Sequence, residues 1–258
     1  MMSLFLSGLS IMMIAFGVVF VISVRRENYG FLDVAWSWGV AVLAPFYAWF
    51  SAGAPLRKWM MAGIGVAWSL RLGGYILARV LRHHPKEDVR YQTLRKKWPG
   101  PGMFFLFFEL QAVLIAVFSL PFLFVAFDPS PGFSPLAACG LALAVIALCG
   151  EAVSDFQMQQ FKALPSSEGK VCETGLWRYS RHPNYFFESL MWWAFFLVAL
   201  PSPRGWIAIV CPLLMLYFLF KVTGIPLTEE YTVKSKGEAY RRYQRTTSAF
   251  IPWFRRTS

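Results

Sequence analysis

LFLSGLSIMMIAFGVVFVISV, residues 4–24, is an uninterrupted apolar run followed directly by Arg25 and Arg26. As a helix rising 1.5 Å per residue, a run of this length crosses a hydrocarbon core about 30 Å thick, with every backbone N–H and C=O paired inside the segment. No basic stretch precedes it and no small-residue cleavage pattern follows it, so it reads as a retained span and not as a signal peptide. Comparable stretches recur at residues 30–51, 58–81, 103–127, 134–158, 184–201 and 206–222. Seven spans predict an all-α integral membrane protein, a seven-helix bundle in which residues 1–258 form a single transmembrane domain. With 57% hydrophobic residues the chain is too apolar for an ordinary soluble domain. Pro201, Pro203 and Gly205 leave only a tight turn between the last two spans, which predicts a helical hairpin there.

The net charge of +11 sits in the loops. Arg25 and Arg26, seven Lys/Arg within residues 79–97, four within residues 162–181 and eight from Lys221 onward fall on one side of the membrane; Arg57, Lys58 and Arg204 fall on the other. The positive-inside rule then places the N-terminus outside and the C-terminus in the cytoplasm. The basic excess is thus a topology signal, and membrane lipid is the expected partner, with no nucleic acid and no obligate protein partner. Cys139, Cys149, Cys172 and Cys211 show no metal-type spacing, so neither disulfides nor a metal site is expected. No internal repeat of the kind that marks many transporters is visible, which weighs against a transporter or channel.

Ionisable groups inside spans cost several kcal/mol unless paired or solvated, so each points to function or to a helix-stitching ion pair. Asp33, Arg71, Glu109, Glu151, Asp155 and Glu188 are such groups, and the orientation above gathers them toward the cytoplasmic side. Glu151 and Asp155 share a helix face, with Arg71 a candidate partner. The sequence GLWRYSRHPNYFFE, residues 175–188, then concentrates polar chemistry where a loop enters the sixth span. Arg178 and Arg181 suit phosphate, His182 adds a titratable donor, Pro183 fits a first helical turn, and Asn184 with Glu188 continues a polar stripe into the helix. Residues 224–258 follow the last span as a polar tail carrying Glu229, Glu230, Gly237, Tyr240 and Tyr243, expected to pack under the bundle from the cytoplasmic side.

LDVAWSWG at 32–39, AWSLRLGGYILAR at 67–79, DVRYQTLRKKW at 88–98, Ser154 with Asp155, and the GLWRYSRHPNYFFESLMWW run together resemble the steroid 5α-reductase (3-oxo-5α-steroid 4-dehydrogenase) family, in its compact, mostly bacterial branch. The RHPNY run with the Glu-Glu and Tyr tail also resembles isoprenylcysteine methyltransferases, which makes an S-adenosylmethionine-dependent methyltransferase the alternative. The resemblance implies a seven-helix protein of the bacterial inner membrane, with its active site toward the cytoplasm. It further implies NADPH as cofactor and reduction of the C4=C5 double bond of a 3-oxo-Δ4 steroid or related enone lipid. It carries cofactor contact to Arg71, Asp155, Arg178, Tyr179, Arg181, His182, Asn184, Tyr185 and Glu188; loop position adds Arg82, Lys162 and Lys170 for phosphate neutralisation. Two positions depart from the animal enzymes, which carry a Gln-Glu pair where this chain has Asp33 beside Val34, and a tyrosine where it has Trp68.

Conjugate reduction of an enone needs hydride at the β carbon, a donor at the carbonyl oxygen and a dry pocket. Asp33 is the first candidate donor, because a carboxyl in a low-dielectric span can stay protonated, with the Tyr185 and Tyr91 hydroxyls as alternatives. Trp36, Trp68 and Trp192 are the expected aromatic walls for a flat lipid substrate.

Overall fold

The computed structural model describes residues 1–98, 100–132 and 134–255, so the final three residues of the expected tail lie outside the described ones. Eleven α-helices occur among the described residues: α1 (Met2–Arg25), α2 (Phe31–Phe50), α3 (Pro55–His83), α4 (Val89–Lys97), α5 (Pro101–Phe118), α6 (Leu120–Ala126), α7 (Pro135–Ala163), α8 (Pro183–Ala199), α9 (Val210–Tyr217), α10 (Ile225–Lys236) and α11 (Glu238–Thr246). No strand is formed among these residues, only an isolated bridge between Ser180 and Ser248. Six stretches are long and apolar enough to cross a membrane: α1, α2, α3, Pro101–Ala126, α7 and Gly205–Lys236. At 17 residues, α8 measures about 25 Å and is shorter than these.

Proline placement explains several boundaries. Pro55, Pro101 and Pro183 stand in the first turns of α3, α5 and α8, where a missing N–H costs nothing. The expected span at 103–127 is two helices in succession, α5 and α6, because Pro121 cannot continue the ladder. The junction is held by Ser119, whose hydroxyl lies 3.1 Å from the buried Tyr47 hydroxyl.

The chain folds as two compact units. The first comprises Met1–Ser134 with Ala199–Ile207, and the second Pro135–Val198 with the residues from Ala208 onward. In the first unit α2 packs along α3, and Ser69 of α3 is inserted into the α2 ladder. Its hydroxyl donates to the Ser37 carbonyl and accepts from the Ala41 N–H at 3.0 Å. One end of this unit is locked by a buried ion pair, Arg57 to Asp128 at 2.5 Å, with each side chain at most 3% exposed. Ser202 accepts from Arg57 at 3.3 Å, and the Gly53 and Ala54 amides donate to the Ala126 and Asp128 carbonyls. Asp33, Glu87 and Arg90 gather at the opposite end of α2, where Tyr29 donates its N–H to Glu87 at 2.6 Å.

In the second unit α8 lies against α7 so closely that a Cβ at Gly150 would collide with the Phe187 ring. Small residues permit this approach between apolar helices, where dispersion has to replace hydrophobic attraction. The loop ahead of α8 is stapled to α7: Trp177 donates its indole N–H to the Ser154 carbonyl at 3.0 Å, and the Gln157 side chain accepts from the Leu176 amide at 2.8 Å. Gly175 makes the staple possible, since its φ is +58° and a Cβ there would strike Gln157.

Candidate functional site

Two polar clusters stand out, one in each unit. In the first unit Asp33, in the opening turn of α2, accepts on both oxygens: from the Tyr91 hydroxyl at 2.7 Å and from Arg90 Nη2 at 2.7 Å. Arg79 stands 4.0 Å from the second of those oxygens. Arg90 is itself clamped by Asp88, the N-cap of α4, through two contacts of 3.1 Å. Asp88 also caps α4 by accepting the Arg90 amide at 2.9 Å. Burial would raise the Asp88 carboxyl, but the contacts from Arg90 hold it below its ordinary value. Burial, followed by the Asp33 carboxylate, holds the Tyr91 phenol protonated far above the ordinary tyrosine range. Asp33 is thus engaged on both oxygens, and the Tyr91 hydroxyl is a donor toward it.

The short helix α4 is fixed over this end by a second arrangement. Arg95 donates to Glu87 at 2.7 Å and lies 4.2 Å above the Tyr29 ring, which stacks on Phe104 at 4.0 Å. Asp33 and Tyr91 are among the residues expected from the sequence, whereas Arg90, which stands beside Tyr91 in the same DVRYQ run, is not. Its signal was local: an Asp two residues before an Arg, at a helix N-terminus, forms a cap that also orients the guanidinium.

In the second unit the hub is Glu229 of α10. It accepts from Arg181 Nε at 2.6 Å, from Gln244 at 2.9 Å and from the Tyr240 hydroxyl at 3.4 Å, and His182 Nε2 stands 3.2 Å away. Arg181 Nη1 donates to the Gln244 carbonyl at 3.0 Å and to the Thr247 carbonyl at 2.5 Å. His182 stacks on Tyr185 with ring centroids 5.3 Å apart, and the Tyr185 hydroxyl meets Thr228 at 3.2 Å. Tyr243 donates to the carbonyls of Trp177 and Ser180. Burial raises both Tyr240 and Tyr243, with the Glu229 carboxylate adding to the first and Tyr240 to the second, so both phenols remain donors.

After α11 the chain runs back over the loop as a strap. Ser248 accepts the Arg181 amide at 2.8 Å, the Phe250 carbonyl accepts the Ser180 hydroxyl at 2.8 Å, and the Trp253 amide donates to the Tyr179 carbonyl at 2.9 Å. Arg255 pairs with Glu173.

The other residues expected from the sequence are distributed as follows. Arg178, Tyr179, Lys162 and Lys170 are exposed on the second unit, and Arg82 on the first. Asp155 is buried on α7, and Glu188, buried on α8, accepts from the Trp192 indole at 3.1 Å. Asn184 is half-buried, and its side-chain oxygen is enclosed with no hydrogen-bond partner. Arg71 is half-buried on α3. Trp68 and Trp192 are completely buried core residues, whereas Trp36 is half-buried with its ring edge-on to Phe118. No cluster of metal-ligating side chains occurs among the described residues.

These features define the class: a multi-pass α-helical membrane protein with polar networks at its helix ends. The chain belongs to the DUF1295 family, described as proteins of unknown function, whose model matches residues 19–247. It is 25% identical to the uncharacterized protein C594.04c of Schizosaccharomyces pombe, over an alignment of 289 positions covering 96% of this chain and 79% of the relative. No solved structure matches it.

Proposed function

We propose that this protein is an NADPH-dependent reductase of the C4=C5 double bond of 3-oxo-Δ4 steroids or related enone lipids. The carrying observation is that two of the segments resembling steroid 5α-reductases, 32–39 and 88–98, meet through Asp33, Arg90 and Tyr91. In this reading the chain crosses the membrane seven times, with α8 as the short sixth span. Its N-terminus lies outside and its C-terminus in the cytoplasm, and the membrane is a bacterial inner membrane.

Bound NADPH supplies a hydride for the β carbon of the enone. The second unit has residues that suit it: Arg178, Lys162 and Lys170 are exposed cations for phosphate, and the unpartnered Asn184 oxygen is an acceptor for an amide N–H. Arg181 and His182 are committed to Glu229 and act by holding the loop in shape. Arg71, Asp155, Tyr179, Tyr185 and Glu188 keep the cofactor contact that the resemblance implies, and Arg82 the one that its loop position suggests. Tyr91 turns its O–H from Asp33 to the substrate carbonyl, which polarises the enone. Asp33, fixed by Arg90, orients that phenol, and Trp36 offers a partly open aromatic face to the lipid.

The test is NADPH oxidation by the purified protein in lipid nanodiscs with a 3-oxo-Δ4 steroid, reading product stereochemistry at the reduced carbon. Tyr91→Phe and Asp33→Asn are expected to lower turnover while leaving NADPH affinity unchanged, and Asn184→Ala to weaken NADPH binding. Thermal stabilisation by S-adenosylmethionine, with none by NADPH, would replace this reading by the methyltransferase one.

A further inference from the structure

We propose that the C-terminal strap, residues 250–254, is an interfacial wedge that seats on the headgroup boundary of the bilayer and thereby fixes the Gly175–His182 loop. Ile251, Trp253 and Phe254 are 60%, 68% and 77% exposed. Their backbone is held in place: the carbonyl of Phe250 and the amide of Trp253 are bonded to Ser180 and Tyr179. Three large apolar side chains mounted outward on an ordered backbone are costly in water and favourable at a lipid interface, where aromatic residues concentrate.

The level of the strap is set by Phe250. Its ring packs on Phe220 at 4.8 Å, at the end of an apolar stretch, and on Phe186 at 5.7 Å, in the first turn of α8. Phe186 opens α8 and Phe220 lies in the π-helical turn Phe218–Val222 that follows α9, and Tyr217 and Phe220 are themselves exposed. The wedge therefore continues the surface that those helices present to lipid. The Phe254 ring meets Tyr179 edge-on at 6.2 Å, so a loop residue shares this surface. The exposed Arg178, adjacent to Tyr179, suits an anionic leaflet and would repel its own copy across a two-fold contact at this surface.

The full chain is tested in nanodiscs of phosphatidylcholine and phosphatidylglycerol, with p-benzoylphenylalanine replacing Trp253, Phe254 or, as control, Glu238, whose side chain is 69% exposed. Expected are adducts with the mass of a phospholipid at 253 and 254 and none at 238. Chain-to-chain adducts, or no adducts at 253 and 254, would overturn the proposal. Hydroxyl-radical footprinting of the unsubstituted protein reads the same surface without a variant. Protection of Trp253 to the level of the buried Trp177 supports the wedge, and oxidation in proportion to its 68% exposure overturns it.

Discussion

Replacing Glu229 by Gln keeps the size of the side chain and removes its charge. Arg181, at 2.6 Å and only 11% exposed, is then left without its counter-charge, and Gln244 can face an amide N–H₂ in place of an acceptor. Removing one partner of a buried pair costs about 3–5 kcal/mol. The residual exposure of Arg181 and Glu229, 11% and 16%, admits some solvent screening, so the lower figure, about 3 kcal/mol, applies. That corresponds to a rise of roughly 10²-fold in the opening equilibrium. Hydrogen exchange followed by mass spectrometry reads it in peptides containing the Arg181 amide, which donates to Ser248. Two controls sharpen the result. Glu230→Gln, in the exposed pair with Lys234, should leave exchange unchanged, and Arg181→Met combined with Glu229→Leu should not recover the loss, because Gln244, Tyr240 and the Gln244 and Thr247 carbonyls stay stranded. A change below about threefold in Glu229→Gln, the size typical of a surface pair, would refute the assignment of Glu229 as the hub.

Two further predictions concern pH. Burial alone would raise Asp128, but the Ser130 amide, Ser202 and Arg57 together hold it below the usual carboxylate range. Its contribution is therefore complete above the unfolded value of about 3.9 and is lost as pH falls through the lower folded value. Thermal unfolding between pH 7 and pH 3 should show this acid loss, and Asp128→Asn should remove it while costing about 3–5 kcal/mol at pH 7 through the stranded Arg57. Tyr240 and Tyr243 are raised, so their contribution is complete below the unfolded tyrosine value of about 10 and is lost as pH climbs toward the folded ones. Alkaline titration followed by tyrosinate absorbance should show Tyr243→Phe unfolding at a higher pH relative to its own neutral stability, with the absorbance step of one tyrosine missing.

The membrane character and most helix positions were legible because lipid imposes one rule on the backbone, and a run of apolar residues states it directly. The break at Ser119 was not read, although Pro121 carried its signal, because the hydropathy of residues 103–127 does not fall at the junction. The sites were legible only in part. Residues 175–188 announced ligand chemistry, yet Arg181 and His182 are occupied by Glu229, 48 and 47 positions further on. Composition tells what an arginine can bind, and only the fold tells what has already bound it. Trp68 and Trp192 illustrate the same limit, since an indole looks alike whether it lines a cavity or fills a core, and here both are wholly buried. Asp33 and Tyr91 were each singled out, but their meeting through α4 depends on the capping and stacking that fold the 84–98 segment back, which no periodicity records.

The strap that closes over the loop also sets an order of assembly. Arg181 bonds to Ser248, 67 positions later in the chain. At a synthesis rate of about 5–20 residues per second, the loop waits roughly 3 to 13 seconds on a growing chain before its fastening appears. Until then Trp177 and Leu176 have their partners on α7, but the Arg181 amide and the Ser180 hydroxyl do not yet have theirs, so a ribosome that stalls before Ser248 leaves that part of the loop unfastened. Synthesis through the strap thus becomes a precondition for fastening the loop.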